Sequence, residues 1–128
     1  MKKAFIFPGQ GSQTIGMAKE FYDNFTIAKD TFLEVDEALK QNLSQLIFNG
    51  PIAELTLTAN AQAAIMVASI AILRCFLKEK GLNINQACSY VLGHSLGEYS
   101  ALCAANAITL SDTAKLLRVR GCISLECF

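Results

Sequence analysis

One five-residue stretch, Gly93-His94-Ser95-Leu96-Gly97, restricts the folds open to this chain more than any other. It fits the pattern G-x-S-x-G. A short apolar run, Tyr90-Val91-Leu92, precedes it and reads as a buried strand, and residues 98–106, rich in Ala and Leu, follow as a helix. Strand, sharp turn and helix are the setting in which this pattern forms a nucleophile elbow, a strained turn that holds a serine out at the end of a strand. The glycines on either side lack side chains, so strand and helix can approach closely. Ser95 is therefore a candidate nucleophile. The competing reading is a serine in an ordinary strand–helix loop that caps the next helix, a position Ser favours.

The remaining chain supplies one more strand and several helices. Ala4-Phe5-Ile6-Phe7 reads as a strand closed by Pro8-Gly9, and Pro8 to Gln13 as a glycine-rich loop. Residues 26–40 place Ala28, Phe32, Val35 and Leu39 on one helical face. Residues 61–77 are apolar nearly all round, as in a helix buried on several sides, with Gly81 as its C-terminal stop. A second strand at 89–92 and helices at 98–106 and 111–120 follow. Both strands are short apolar runs of the kind buried in parallel sheets. Two strands make a poor sheet, so the chain reads as the opening part of an α/β domain.

Composition narrows the function classes. Lys+Arg and Asp+Glu both number 11, giving a formal net charge of zero, which points away from nucleic acid and from anionic membranes. The five cysteines (Cys75, Cys88, Cys103, Cys122, Cys127) are odd in number and hold no C-x-x-C. Neither a disulfide framework nor a metal site is indicated, and reduced thiols of a cytoplasmic protein are the simpler reading. The apolar run after Met1-Lys2-Lys3 ends at Pro8-Gly9, too soon for a signal peptide. Residues 63–73 are apolar apart from Ser69 and stop at Arg74, a length that suits a core helix better than a membrane span.

A serine hydroxyl needs a base, usually His, held by a third group. After Ser95 the chain offers the acids Glu98, Asp112 and Glu126 but no histidine. The sole histidine, His94, is adjacent to the nucleophile and reads as packed under the turn. The Leu96 N–H is placed to form half of an oxyanion hole. If the strands are parallel, Gln10 lies at the matching end of the neighbouring strand, and its loop can bring a second N–H. Gly9-Gln10-Gly11 does not complete a dinucleotide fingerprint, because Thr14 stands where the third glycine belongs; a plain glycine turn is the other reading. Arg120 lies between Leu116 and Leu117 on a helix, on the apolar side, with Lys115 and Arg118 toward solvent. There it either holds a substrate carboxylate near Ser95 or snorkels at the helix end. The geometric expectation is a Ser95 hydroxyl that projects into a cleft near residues 10 and 120.

Three stretches together resemble the malonyl-CoA:acyl carrier protein transacylase family, the acyltransferases of fatty acid and polyketide synthesis. They are residues 5–13 (FIFPGQGSQ), residues 93–102 (GHSLGEYSAL) and residues 118–121 (RVRG). The resemblance implies an incomplete α/β-hydrolase-like large subdomain of the acyltransferase fold over residues 1–121, without the small ferredoxin-like subdomain. It implies Ser95 as the acyl-accepting serine, the N–H groups of Gln10 and Leu96 as the oxyanion hole, and Arg120 as partner of the malonyl carboxylate. Gln62 stands where the family has a glutamine near the site, followed here by Ala63 in place of the usual Pro. The implied substrates are malonyl-CoA as donor and the phosphopantetheine of acyl carrier protein as acceptor, with no bound cofactor.

Family members are more than twice this length, and the catalytic histidine lies in the part beyond. Residues 122–128 (CISLECF) depart from the family, which suggests a frameshifted or prematurely ended reading frame and impaired transfer. The alternatives are a serine hydrolase of α/β-hydrolase type, a non-catalytic remnant, or one piece of a split protein completed by a second fragment.

Overall fold

The computed structural model describes residues 2–126, with side chains described as far as Ile123. Cys127 and the side chain of Glu126 lie outside the described residues. The elements run β1 (Ala4–Phe7), α1 (Lys19–Asn24), α2 (Thr26–Leu39), α3 (Leu43–Asn49), α4 (Ile52–Thr56), α5 (Thr58–Lys80), α6 (Ile84–Ala87), β2 (Tyr90–Gly93), α7 (Gly97–Ala104) and α8 (Leu110–Glu126). The two strands pair in parallel, with Ala4 opposite Tyr90 and Phe7 opposite Gly93. The loops after both strands therefore leave the sheet at the same end, where open α/β sheets bind their ligands.

The helix α5 is the centre of the molecule. Its Ala-rich sequence lets neighbours approach on several sides, and twelve of its residues are buried, from Asn60 through Cys75. It is long and apolar enough to cross a membrane by length and composition, yet 67% of its most apolar window is buried inside the protein, as the core-helix reading expects. Helix α2 presents Ala28, Thr31, Phe32 and Val35 to the core. Phe32 packs with Tyr22 and Phe48 at ring separations of 5.7 and 5.2 Å, distances at which aromatic pairs attract. Gly81 ends α5 in the left-handed conformation at φ 65°.

Four short helices, α1, α3, α4 and α6, escape the periodicity reading. Each has seven residues or fewer, too short to show an amphipathic repeat. Local side-chain bonds mark two of them. Asp36 accepts from both the N–H and the hydroxyl of Ser44 at the start of α3, and Asn83 and Gln86 form a capping box on α6.

The expectation of strands buried on both faces is corrected. Phe7 is buried and Phe5 packs edge-on against Phe76 of α5 at 5.9 Å. On the opposite face Ile6, Tyr90 and Leu92 are 74%, 54% and 52% exposed. Among the described residues no helix covers that side; apolar runs alone do not reveal whether a second layer is present. The last helix also differs from its expected span, continuing through Gly121 to Glu126. Gly121 is buried against α5 and keeps the helix going.

Burial pushes the thiols of Cys75 and Cys103 above the ordinary value of 9.0. Both favour the folded state in the neutral form, so this contribution is intact below about pH 9 and is lost as pH rises through the folded values. Alkylation at pH 8 with peptide mapping is expected to modify exposed Cys122 and to spare Cys75 and Cys103 until the chain unfolds. Equal labelling of these three would contradict this core.

Candidate active site

The elbow forms where the sequence places it. Ser95 has φ 57°, in the left-handed region that side-chain-bearing residues seldom occupy. Such a conformation costs on the order of 1–3 kcal/mol and persists only when surrounding contacts enforce it. Those contacts are glycine contacts. A Cβ on Gly93 would overlap the backbone of Gly97, and a Cβ on Gly97 would overlap the Phe7 carbonyl. The turn closes with Gly97 N–H donating to the His94 carbonyl at 2.9 Å and Glu98 N–H to the Ser95 carbonyl at 3.0 Å. The Ser95 side chain makes no cap on α7, whose N-cap is Leu96. The capping reading of Ser95 is thereby set aside.

The first loop lies against this turn. His94 N–H donates to the Phe7 carbonyl at 3.3 Å, and a Cβ on Gly9 would stand 2.8 Å from the His94 carbonyl. Gln10 thus follows directly on a residue packed against the elbow, as parallel pairing requires. Its side chain donates to Thr58 Oγ1, at the start of α5, at 3.3 Å.

Arg120 completes the constellation. One guanidinium nitrogen donates to Gln62 Oε1 at 2.7 Å and another to Ser95 Oγ at 3.1 Å. Its Cζ also lies 5.6 Å from the Tyr99 ring centroid, within range of a cation–π attraction. Gln62 is buried and Arg120 half-buried. Ser95, Gln62, Arg120 and the Gln10 loop, far apart in the chain, are therefore gathered at one end of the sheet.

Three expectations are corrected here. His94 is exposed, not packed under the turn; Gly9 has no side chain to cover its ring, which a Cβ there would meet at 3.0 Å. Ser95 is exposed, not enclosed; one groove, of about 580 Å³, lies elsewhere, between β1 and Ile72, Leu73 and Phe76 of α5. Arg118 does not face solvent. It is half-buried and donates to Gln41 Oε1 and, at 3.4 Å, to Asn60 Oδ1. The buried stripe of α8 runs through Leu110, Ala114, Leu117 and Gly121, while Leu116 is 47% exposed. That stripe has the i, i+4, i+7 spacing of a packed face, and Arg118 borders it.

Sequence reasoning missed Thr58 and Tyr99. Tyr99 lies within the GHSLGEYSAL stretch, but only the fold brings α8 across its ring. Thr58 carries no sequence signal, since its role depends on where the first loop lands.

The structure thus joins a strained serine turn on a parallel strand to an arginine paired with a buried glutamine. The chain belongs to the acyl transferase domain family, which it matches over residues 4–126. It is 52% identical over 120 residues to the malonyl CoA-acyl carrier protein transacylase of Bacillus subtilis (strain 168), a match covering 94% of this chain and 36% of that one. Its fold superposes with a TM-score of 0.91 on the acyl-carrier-protein-S-malonyltransferase of Bartonella henselae, at 55% identity, covering 94% of this chain and 38% of the other. The same TM-score, 0.91, relates it at 39% identity to a structure of a type II PKS acyl-carrier protein in complex with its malonyl-transacylase, covering 100% of this chain and 40% of that one. The chain thus spans a little over a third of the length of these relatives.

Replacement of Gly93 by Ala should lower stability by about 1–3 kcal/mol, because the new methyl overlaps backbone that no rotamer change can move. Denaturant unfolding reads this directly; an unchanged midpoint would remove the glycine contact as the reason for the turn.

Proposed function

We propose that this chain carries the acyl-accepting part of a malonyl-CoA:acyl carrier protein transacylase. The observation that carries the reading is Arg120, held by Gln62 with its guanidinium 3.1 Å from the hydroxyl of Ser95 on a strained turn. A planar cation beside a nucleophile suits a donor whose acyl group ends in a carboxylate, which guanidinium binds through paired hydrogen bonds.

In this mechanism Ser95 Oγ attacks the thioester carbonyl of malonyl-CoA. The oxyanion is held by the N–H groups of Gln10 and Leu96, coenzyme A leaves as the thiol, and Ser95 is left as a malonyl ester. The phosphopantetheine thiol of acyl carrier protein then attacks that ester, taking the malonyl group and restoring the serine. Arg120 holds the free carboxylate through both steps. The proton of Ser95 needs a base. No histidine follows Ser95 in these 128 residues, and the reading assigns the base to the histidine that the resemblance puts further along the family's sequence. The full rate of acylation and any turnover therefore depend on the rest of the transferase fold, supplied in the same polypeptide or by a second fragment; without that base this chain acylates slowly. The setting we propose is cytoplasmic fatty acid synthesis, as the resemblance implies.

A hydrolase reading has one observation in its favour, the exposure of Ser95 to water. Incubation with malonyl-CoA separates the two: a transferase holds malonate on the serine until a thiol arrives, whereas a hydrolase releases it. Intact-mass measurement should show a malonyl adduct that Ser95→Ala abolishes. Arg120→Ala should slow adduct formation from malonyl-CoA by about 10- to 100-fold, the worth of a charged hydrogen bond, with a much smaller effect on acetyl-CoA. An adduct on any other residue, or equal losses for both donors, would sink the assignment.

A further inference from the structure

Arg120 reaches Ser95 only because α8 crosses the first turn of α5 at very short range. The crossing point is Gly121. A Cβ there would stand 2.6 Å from the Thr58 carbonyl oxygen and 2.9 Å from Ala59 Cα. Both are backbone atoms, so no side-chain rotation relieves the overlap. Gln62, which accepts from Arg120, lies one turn along α5 from Thr58. The hydroxyl of Thr58 accepts from the side chain of Gln10. The first turn of α5 therefore touches both the helix that carries the guanidinium and the loop that carries Gln10. On its other side the guanidinium lies against Tyr99, in the first turns of α7 directly behind the elbow.

We propose that Gly121 and Tyr99 are positioning residues for Arg120: the missing side chain of Gly121 seats α8 on Thr58 and Ala59, and the ring face of Tyr99 holds the guanidinium over Ser95. The inference rests on the proposed function for its catalytic consequence, but not for its geometry. A methyl at position 121 forces α8 back by about 1 Å, and a misplacement of that size costs on the order of a hundredfold in a well-aligned site. Ser95 and the amides of the elbow belong to other elements and stay in place. The loss therefore falls on donors that need the arginine.

Two readouts test this on the 128-residue chain. The first is the NMR signal of the Arg120 guanidinium, which the Tyr99 ring current shifts and which the bonds to Gln62 and Ser95 slow in rotation. The second is the rate of Ser95 acylation by malonyl-CoA relative to acetyl-CoA. Gly121→Ala and Tyr99→Leu should each move the Arg120 signal toward that of a solvated arginine. Each should also reduce the malonyl-to-acetyl rate ratio, by about 10- to 100-fold for Gly121→Ala and severalfold for Tyr99→Leu. Tyr99→Phe keeps the ring face and should restore both readouts. Should Gly121→Ala fail to fold, Tyr99→Leu carries the test, since it leaves the crossing intact. An unchanged Arg120 signal in either folded variant overturns the proposal, as does an equal fall in both acylation rates. If the unsubstituted chain takes no malonyl group even with imidazole added as an external base, while the Arg120 signal still responds, the proposed function fails and the positioning role stands.

Discussion

The site depends on a backbone contact that only glycine permits. Gly93 lies against Gly97, and Gly97 against the carbonyl of Phe7, so the end of β2, the start of α7 and the end of β1 meet without intervening side chains. Three consequences follow. Ser95 is driven into the left-handed region and its hydroxyl projects outward. The loop after β1 is held against the elbow through Gly9 and His94. Helix α7 leaves at an angle that presents Tyr99 to α8. The strain at Ser95 is offset by neighbouring burial: Leu96, next in the chain, is fully buried, and a buried leucine contributes about 1.5–3 kcal/mol, comparable to the strain.

Helix α5 does a different job at each end. Its body is an apolar rod against which α2, α7 and α8 pack, with Met66 and Ile70 fully enclosed. Its first turns are polar and organise side chains from distant parts of the chain: Thr58 meets Gln10, Asn60 meets Gln41 and Arg118, and Gln62 meets Arg120. Buried polar groups tolerate such a position only when satisfied. Gln62, almost completely buried, has its carbonyl taken up by the guanidinium. The rigidity of the core is thereby passed to the arginine that flanks the nucleophile. The exposed Ser95 and the bare face of Ile6, Tyr90 and Leu92 lie on a chain that spans a little over a third of its relatives' length.

Much of this was legible in the residues. The elbow could be read from G-x-S-x-G between a strand and a helix, because that spacing has few other uses. The two strands, α2 and α5 could be read because each carries several residues of one period, and Gly81 marked the end of α5. The short helices could not, since fewer than two turns leave no repeat to count. Arg118 was misjudged because Leu116 and Leu117 together suggested a buried face about one residue out of register. The contact that fixes the register, Gly121 on Thr58, joins residues far apart in sequence.

The residue order carries the local chemistry: a serine between glycines after a strand, a glycine loop after another strand, a glutamine and an arginine on helices. Local sterics and short-range periodicity decide these, and both are written in neighbouring residues. Folding alone fixed the register of the two strands, put Arg118 against Gln41 and Asn60, and brought Tyr99 and Thr58 to the site. The register comes from the ladder between two strands over eighty residues apart, and the side-chain meetings from how closely α5, α7 and α8 pack, which backbone contacts such as Gly121 on Thr58 set.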